Sequence, residues 1–105
     1  MICGYYILPL DTFHAAGTAE AVEACAHQID ETHVICWARF RDHGHEARWL
    51  AQSGVEALPD ARQRRAIDPR HVARLQKYGV AAGDTTADVS EKLAAVAGVC
   101  MRLPD

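Results

Sequence analysis

The sequence predicts an α+β fold in a single small domain, a mixed sheet of three to four strands packed with helices in the approximate order β-α-β-α-β-α-α-β. Three observations carry this prediction. At 105 residues, half of them apolar, the chain has material for one core and no more. Strand-like apolar runs near the start and around 33–41 alternate with stretches of helical period. Glycine, proline and aspartate punctuate the places where the period changes.

The elements follow in order. Residues 2–8, Ile2-Cys3-Gly4-Tyr5-Tyr6-Ile7-Leu8, are apolar, aromatic or β-branched on both alternating faces and stop at Pro9, the reading of a strand covered on both sides. Gly17 and Thr18 then open a helix in which Val22, Cys25, Ala26 and Ile29 recur at i, i+3, i+4 and i+7, with Glu20, Glu23, His27 and Glu31 opposite. Residues 33–41 form a central second strand, with Val34, Cys36, Ala38 and Phe40 on one face and Ile35, Trp37, Arg39 and Arg41 on the other. Asp42-His43-Gly44 permits either a hairpin turn or a helix cap. The spacing of Ala47, Leu50 and Ala51, with Gly54 suited to a left-handed stop, favours a short helix through Ser53.

Val55 to Leu58 reads as a third strand ended by Pro59, and Asp60 to Ala66 as a polar link, the most flexible segment of the chain. Asp68 caps a helix with Pro69 at its first position and Ile67 stapled to Val72, running to about Tyr78 and ending at Gly79. A last helix follows Gly83, with Thr85 and Asp88 spaced as a capping box and Val89, Leu93, Val96 and Ala97 on one side; Gly98 closes it, and Val99 to Leu103 form a short terminal strand. The predicted core is Val22, Cys25, Ile29, Val34, Cys36, Phe40, Val72, Leu75, Val89, Leu93 and Val96.

Composition narrows the function classes. The longest apolar stretches fall far below the roughly 20 residues of a membrane span, and the N-terminus lacks the basic residues of a signal peptide, so a soluble, unprocessed chain is expected. Cys3, Cys25, Cys36 and Cys100 are scattered, with no CxxC pair, and read as reduced core residues. Six histidines raise the question of a metal. On a helix, however, Cys25 and His27 point about 200° apart, and on a strand His33 and Cys36 face opposite ways. Only His43 and His45 can converge, short of the three or four protein ligands zinc takes. Cys36 beside Trp37 is placed for packing rather than for nucleophilic attack, and no GxSxG, GxGxxG or Walker loop is present. Neither an enzyme nor a cofactor is expected.

The net charge of -3 conceals a division: no Lys or Arg precedes Arg39, and the basic residues concentrate between Arg39 and Lys77. Arg62, Arg64, Arg65, Arg70 and Arg74 are the densest run. Such a layout steers association with other protein subunits, copies of this chain included, with Trp49 and Tyr5 as apolar anchors. The alternative is a nucleic-acid-associated regulator or inhibitor whose arginine cluster neutralises phosphates, although a net acidic chain with only Tyr78 near the run lacks the usual stacking aromatics.

An apolar strand from about Val34, a short helix ending in Leu50-Ala51, a strand entering Ala57-Leu58-Pro59-Asp60, and two helices separated by Gly79-Val80 and a Thr85-Thr86 cap make a recurring pattern. The opening Tyr5-Tyr6-Ile7-Leu8-Pro9-Leu10 adds to it. Over a little more than half its length the chain thus resembles small proteins of unknown role encoded among the virion genes of tailed bacteriophages. The resemblance implies a structural or accessory protein of a phage particle, found in the virion or in the cytoplasm of the bacterial host. It carries over no functional residue.

Overall fold

The computed structural model describes residues 1–55 and 57–97. Its contacts divide the chain into two units, Met1–Ala57 and Leu58–Asp105. The expected α+β class holds, but the sheet is antiparallel throughout rather than mixed. Strands β1 (Ile2–Pro9), β2 (Ala21–Gln28) and β3 (His33–Phe40) lie in the order β1-β3-β2. Helices α1 (Leu10–Ala16) and α2 (His43–Ser53) complete the first unit.

The central strand is where the sequence placed it. Val34, Cys36, Ala38 and Phe40 on one face, and Ile35 and Trp37 on the other, are all buried, as a doubly covered strand requires. In register, Tyr6 stands opposite Cys36 and Leu8 opposite Val34. These residues and Phe40 join Trp49 of α2 in one apolar cluster, against which Leu10 and Phe13 of α1 also pack. The Tyr6 ring meets Trp49 at 4.7 Å and Phe40 edge-on at 6.3 Å. It also folds back over Gly4, where a Cβ would come within 2.8 Å of its Cζ, so glycine is required by close approach.

The helix expected from Gly17 to Glu31 is instead strand β2. Ala21 to Gln28 satisfies both periods, because its alanines fit either face of a helix and either side of a strand. Pairing with β3 from Glu23–Arg39 to Gln28–Val34 decides the matter, a case of tertiary context overriding helix propensity. The tight turn that follows commits the chain to this pairing. Asp30 Oδ1 accepts from Thr32 N at 2.7 Å and His33 N at 2.8 Å, and Ile29 N donates to His33 O. Consequently Val22, in a bulge, is 51% exposed and Cys25 only half-buried, against the core role predicted for both.

Gly17 closes a helix rather than opening one. Its N–H donates to Phe13 O at 2.9 Å with φ 63°, ending α1, an element the sequence reading did not contain. Residues 43–53 are helix, not hairpin: Asp42 Oδ1 accepts from His45 N at 3.0 Å and Gly54 is left-handed at φ 62°. The buried face is Trp49 and Ser53, with Leu50 half-buried, so the expected face of Ala47, Leu50 and Ala51 is rotated by the size of the indole. Of the third strand expected at 55–58, the described residues show one bridge, between Ala57 and Tyr6.

The second unit is helical, with α3 (Pro69–Leu75), α4 (Thr86–Ala97) and short 3₁₀ turns at Ala61–Gln63 and Gln76–Tyr78. Both predicted caps are present. Asp68 accepts from Arg70 N with Pro69 at the first position, while Thr85 N and Oγ1 donate to Asp88 and Asp88 N donates back to Thr85 Oγ1. Val72, Leu75, Val89 and Leu93 are buried as expected, whereas Val96 is 64% exposed. Gly98 and the strand expected at 99–103 lie outside the described residues, as does Cys100. Among the described residues no helix is long and apolar enough to cross a membrane.

These contacts rank two substitutions. Gly4→Ala forces the Tyr6 ring off its site and costs about 1–3 kcal/mol in urea unfolding, whereas Val22→Ala at the exposed bulge stays within about 0.5 kcal/mol of the parent.

Candidate interaction surface

The arginine run starts in the segment 60–66, expected to be a flexible link and found ordered. Asp60 caps the first 3₁₀ turn, accepting from Arg62 N at 2.9 Å, and Ala61 beneath it is buried. Ala66 bridges Thr85, Ile67 N donates to Asp84 O at 2.9 Å, and the Thr86 hydroxyl donates to Pro59 O at 2.7 Å. The segment is charged yet ordered because its one carboxylate, Asp60, serves as a cap.

Two of these caps share a design. Asp60 receives the Arg62 backbone N–H and also its guanidinium, through Nε at 3.2 Å and Nη2 at 3.0 Å. Asp68 repeats the arrangement with Arg70: backbone N at 2.8 Å, Nε at 3.1 Å and Nη2 at 3.0 Å. Each aspartate therefore starts a helical turn and clamps, in two-pronged fashion, the arginine two positions later. The motif Asp-x-Arg at 60–62 and 68–70 is the sequence signal for this, and reading the arginines as a run concealed it.

Arg64, Arg65 and Arg70 are exposed, and Arg74 is half-buried on α3. Arg64 holds a left-handed backbone at φ 56°, the only non-glycine residue among those described to do so, which costs of the order of 1 kcal/mol or more. A groove of about 540 Å³ beside it has Arg62, Arg64, Asp88 and Glu91 among its lining residues. A second groove, of about 450 Å³, is more apolar, with Ile67, Pro69, Val72, Ala73 and Ala82 in its walls. The surface is thus mixed in sign.

The two proposed anchors do not belong to it. Trp49 is 1% exposed, packed on Tyr6 and Phe40, with Nε1 donating to Gly17 O at 2.9 Å; Tyr5 is 2% exposed. Both serve packing, the commoner fate of large aromatics. Among the described residues no three of His, Cys, Asp and Glu converge as metal ligands. Histidine rings instead meet single carboxylates: His45 that of Asp42, His43 that of Glu46 and His33 that of Asp30. Burial pushes the Cys36 thiol up to about 12, which keeps it protonated and unreactive. Burial, and then the charge of Glu46, raise the Tyr6 hydroxyl in the same way; it donates to Glu46 Oε2 at 3.0 Å.

The clamps set a pH dependence. The Arg70 side chain, and then its N–H, hold the Asp68 carboxyl down at about 2, and the Thr32 N–H does the same for Asp30, also at about 2. Because these folded values lie below the ordinary carboxylate value of about 3.9, the stability they contribute is fully present above that value and is lost as pH falls through the folded ones. Side-chain carboxyl NMR is expected to place the Asp68 midpoint near 2, with Arg70→Ala moving it upward.

No protein-family model, no curated protein and no solved structure matches this chain.

Proposed function

We propose that this chain is a non-enzymatic structural or accessory protein that acts by docking onto other protein subunits through the arginine-bearing surface of its second unit. A tailed-phage particle is the setting suggested by the sequence resemblance. The observation that supports docking to protein is the pair of Asp-x-Arg clamps. Affinity for a nucleic-acid backbone comes from cations that replace counterions on phosphates. Here Arg62 and Arg70 already share a carboxylate within their own turn, and Asp88 and Glu91 face the same groove as Arg64. Such a surface repels a polyanion locally while matching a partner of mixed charge.

Exposed ion pairs contribute only about 0–1 kcal/mol each, so charge orients the partner and apolar contact supplies the affinity. With Trp49 and Tyr5 committed to packing, that contact falls to the apolar groove at Ile67, Pro69 and Val72.

Reversing Arg62, Arg64 and Arg65 together to Glu tests the reading against the nucleic-acid alternative. Copurification with assembled particles is expected to fall at least tenfold, while retention on nucleic acid, already weak at physiological salt, is unchanged. Intact assembly with loss of a steeply salt-dependent nucleic-acid binding reassigns the cluster to phosphate contact.

A further inference from the structure

We propose that β2 is a self-association edge: two copies of this chain pair their β2 strands antiparallel about a two-fold axis through Cys25, making one sheet continuous across both copies. The strand order β1-β3-β2 leaves the outer edge of β2 without a partner strand among the described residues. Edges of this kind are ordinarily blunted by lysine, proline, inward-pointing charge or a bulge. From Ala21 to Gln28 the sequence AVEACAHQ holds no Lys, Arg or Pro, and the bulge lies at one end, at Val22, leaving 23–28 regular.

The hydrogen-bond phase fixes which backbone groups face outward. Ile29 N donates to His33 O, and the register runs through His27–Ile35, Cys25–Trp37 and Glu23–Arg39, so the odd residues of β2 bond to β3. Leu10 N donating to Thr32 O puts the even residues of the β3 side toward β1, in agreement. The N–H and C=O groups of Ala24, Ala26 and Gln28 therefore point away from the sheet. Only pairings that set even residue against even residue can use them.

Of the registers this allows, the one centred on Cys25 is self-complementary. It sets Ala24 against Ala26 of the second copy as a hydrogen-bonded pair, with two small side chains that permit close approach. It sets Glu23 against His27 of the second copy, a carboxylate facing a ring that donates an N–H whether neutral or protonated, and symmetry makes this pair twice. Shifting the register by one step either way brings Glu23 opposite Cys25, or Cys25 opposite His27, and loses that match. Cys25 then stands opposite its own copy at a non-hydrogen-bonded position, where the Cα atoms lie about 4.5 Å apart, inside the about 4.4–6.8 Å range a disulfide tolerates. Cys25 is a reduced, half-buried thiol. The edge belongs to the first unit and the arginine surface to the second, so this inference stands or falls apart from the proposed function.

The experiment is sedimentation velocity over a concentration series, with mild diamide treatment as a register probe, the diamide taking up the electrons and protons released by the two thiols. The expected result is a concentration-dependent dimer that diamide traps covalently, with trapping abolished by Cys25→Ser and retained in Cys3→Ser. Glu23→Lys and His27→Glu are each expected to weaken self-association about fivefold, and the double exchange to restore it. Ala26→Pro, which removes an outward N–H and leaves the ladder to β3 intact, should abolish the dimer. If its circular dichroism shows that it fails to fold, the charge exchange decides alone. A chain that stays monomeric throughout, a trapped dimer that survives Cys25→Ser, or a double exchange without rescue each overturns the proposal.

Discussion

The ladder that β3 makes on both sides is the constraint on which the first unit depends. Eight residues, His33 to Phe40, bond to β1 along one edge and to β2 along the other while burying side chains on both faces. A strand so placed tolerates neither a shift of one residue, which would send Val34, Cys36, Ala38 and Phe40 to the wrong side, nor the loss of a neighbour, which would leave buried backbone groups unbonded. The Asp30 turn matters for the same reason. By accepting from Thr32 and His33 it fixes the phase of β2 on β3.

What could be read from the sequence was what one element states about itself. β3 declares its type because β-branched and aromatic residues fill both of its faces, and α3 and α4 declare their starts through Asp68-Pro69 and Thr85-x-x-Asp88. β2 does not, because its alanines and single valine are compatible with either period and its choice is made by a strand five residues further on. α1 was hidden by Pro9, which ends a strand and begins a helix equally well, and by Gly17, whose left-handed φ marks an end although it was read as a beginning. The third strand expected before Pro59 is represented among the described residues by one bridge, because so short a run offers little to pair.

The candidate surface was legible in composition and illegible in pairing. Arg62, Arg64, Arg65, Arg70 and Arg74 lie in one unit, four of them exposed, as a basic run suggests. Whether a cation is available to a partner depends on what its own chain has already placed beside it, and that depends on the local turn: Asp60 and Asp68 reach forward two residues because each caps a turn that curls the arginine back. Trp49 and Tyr5 illustrate the converse. An aromatic residue has the composition of an anchor, yet α2 turns the indole of Trp49 inward onto Tyr6, where it contributes to the core.

One backbone carbonyl in the first unit has an effect out of proportion to its setting. Gly17 ends α1, and its oxygen receives the Trp49 indole N–H from α2. The segment around Thr18 and Ala19 is exposed, short and next to a glycine, which are the usual marks of a place where added residues or a cut are tolerated. Here an inserted residue would drag that oxygen away from a buried indole and leave its N–H without an acceptor in an apolar cluster. Sites for tags, permuted termini or grafted peptides belong elsewhere on the chain, because this exposed loop holds the acceptor of a buried indole.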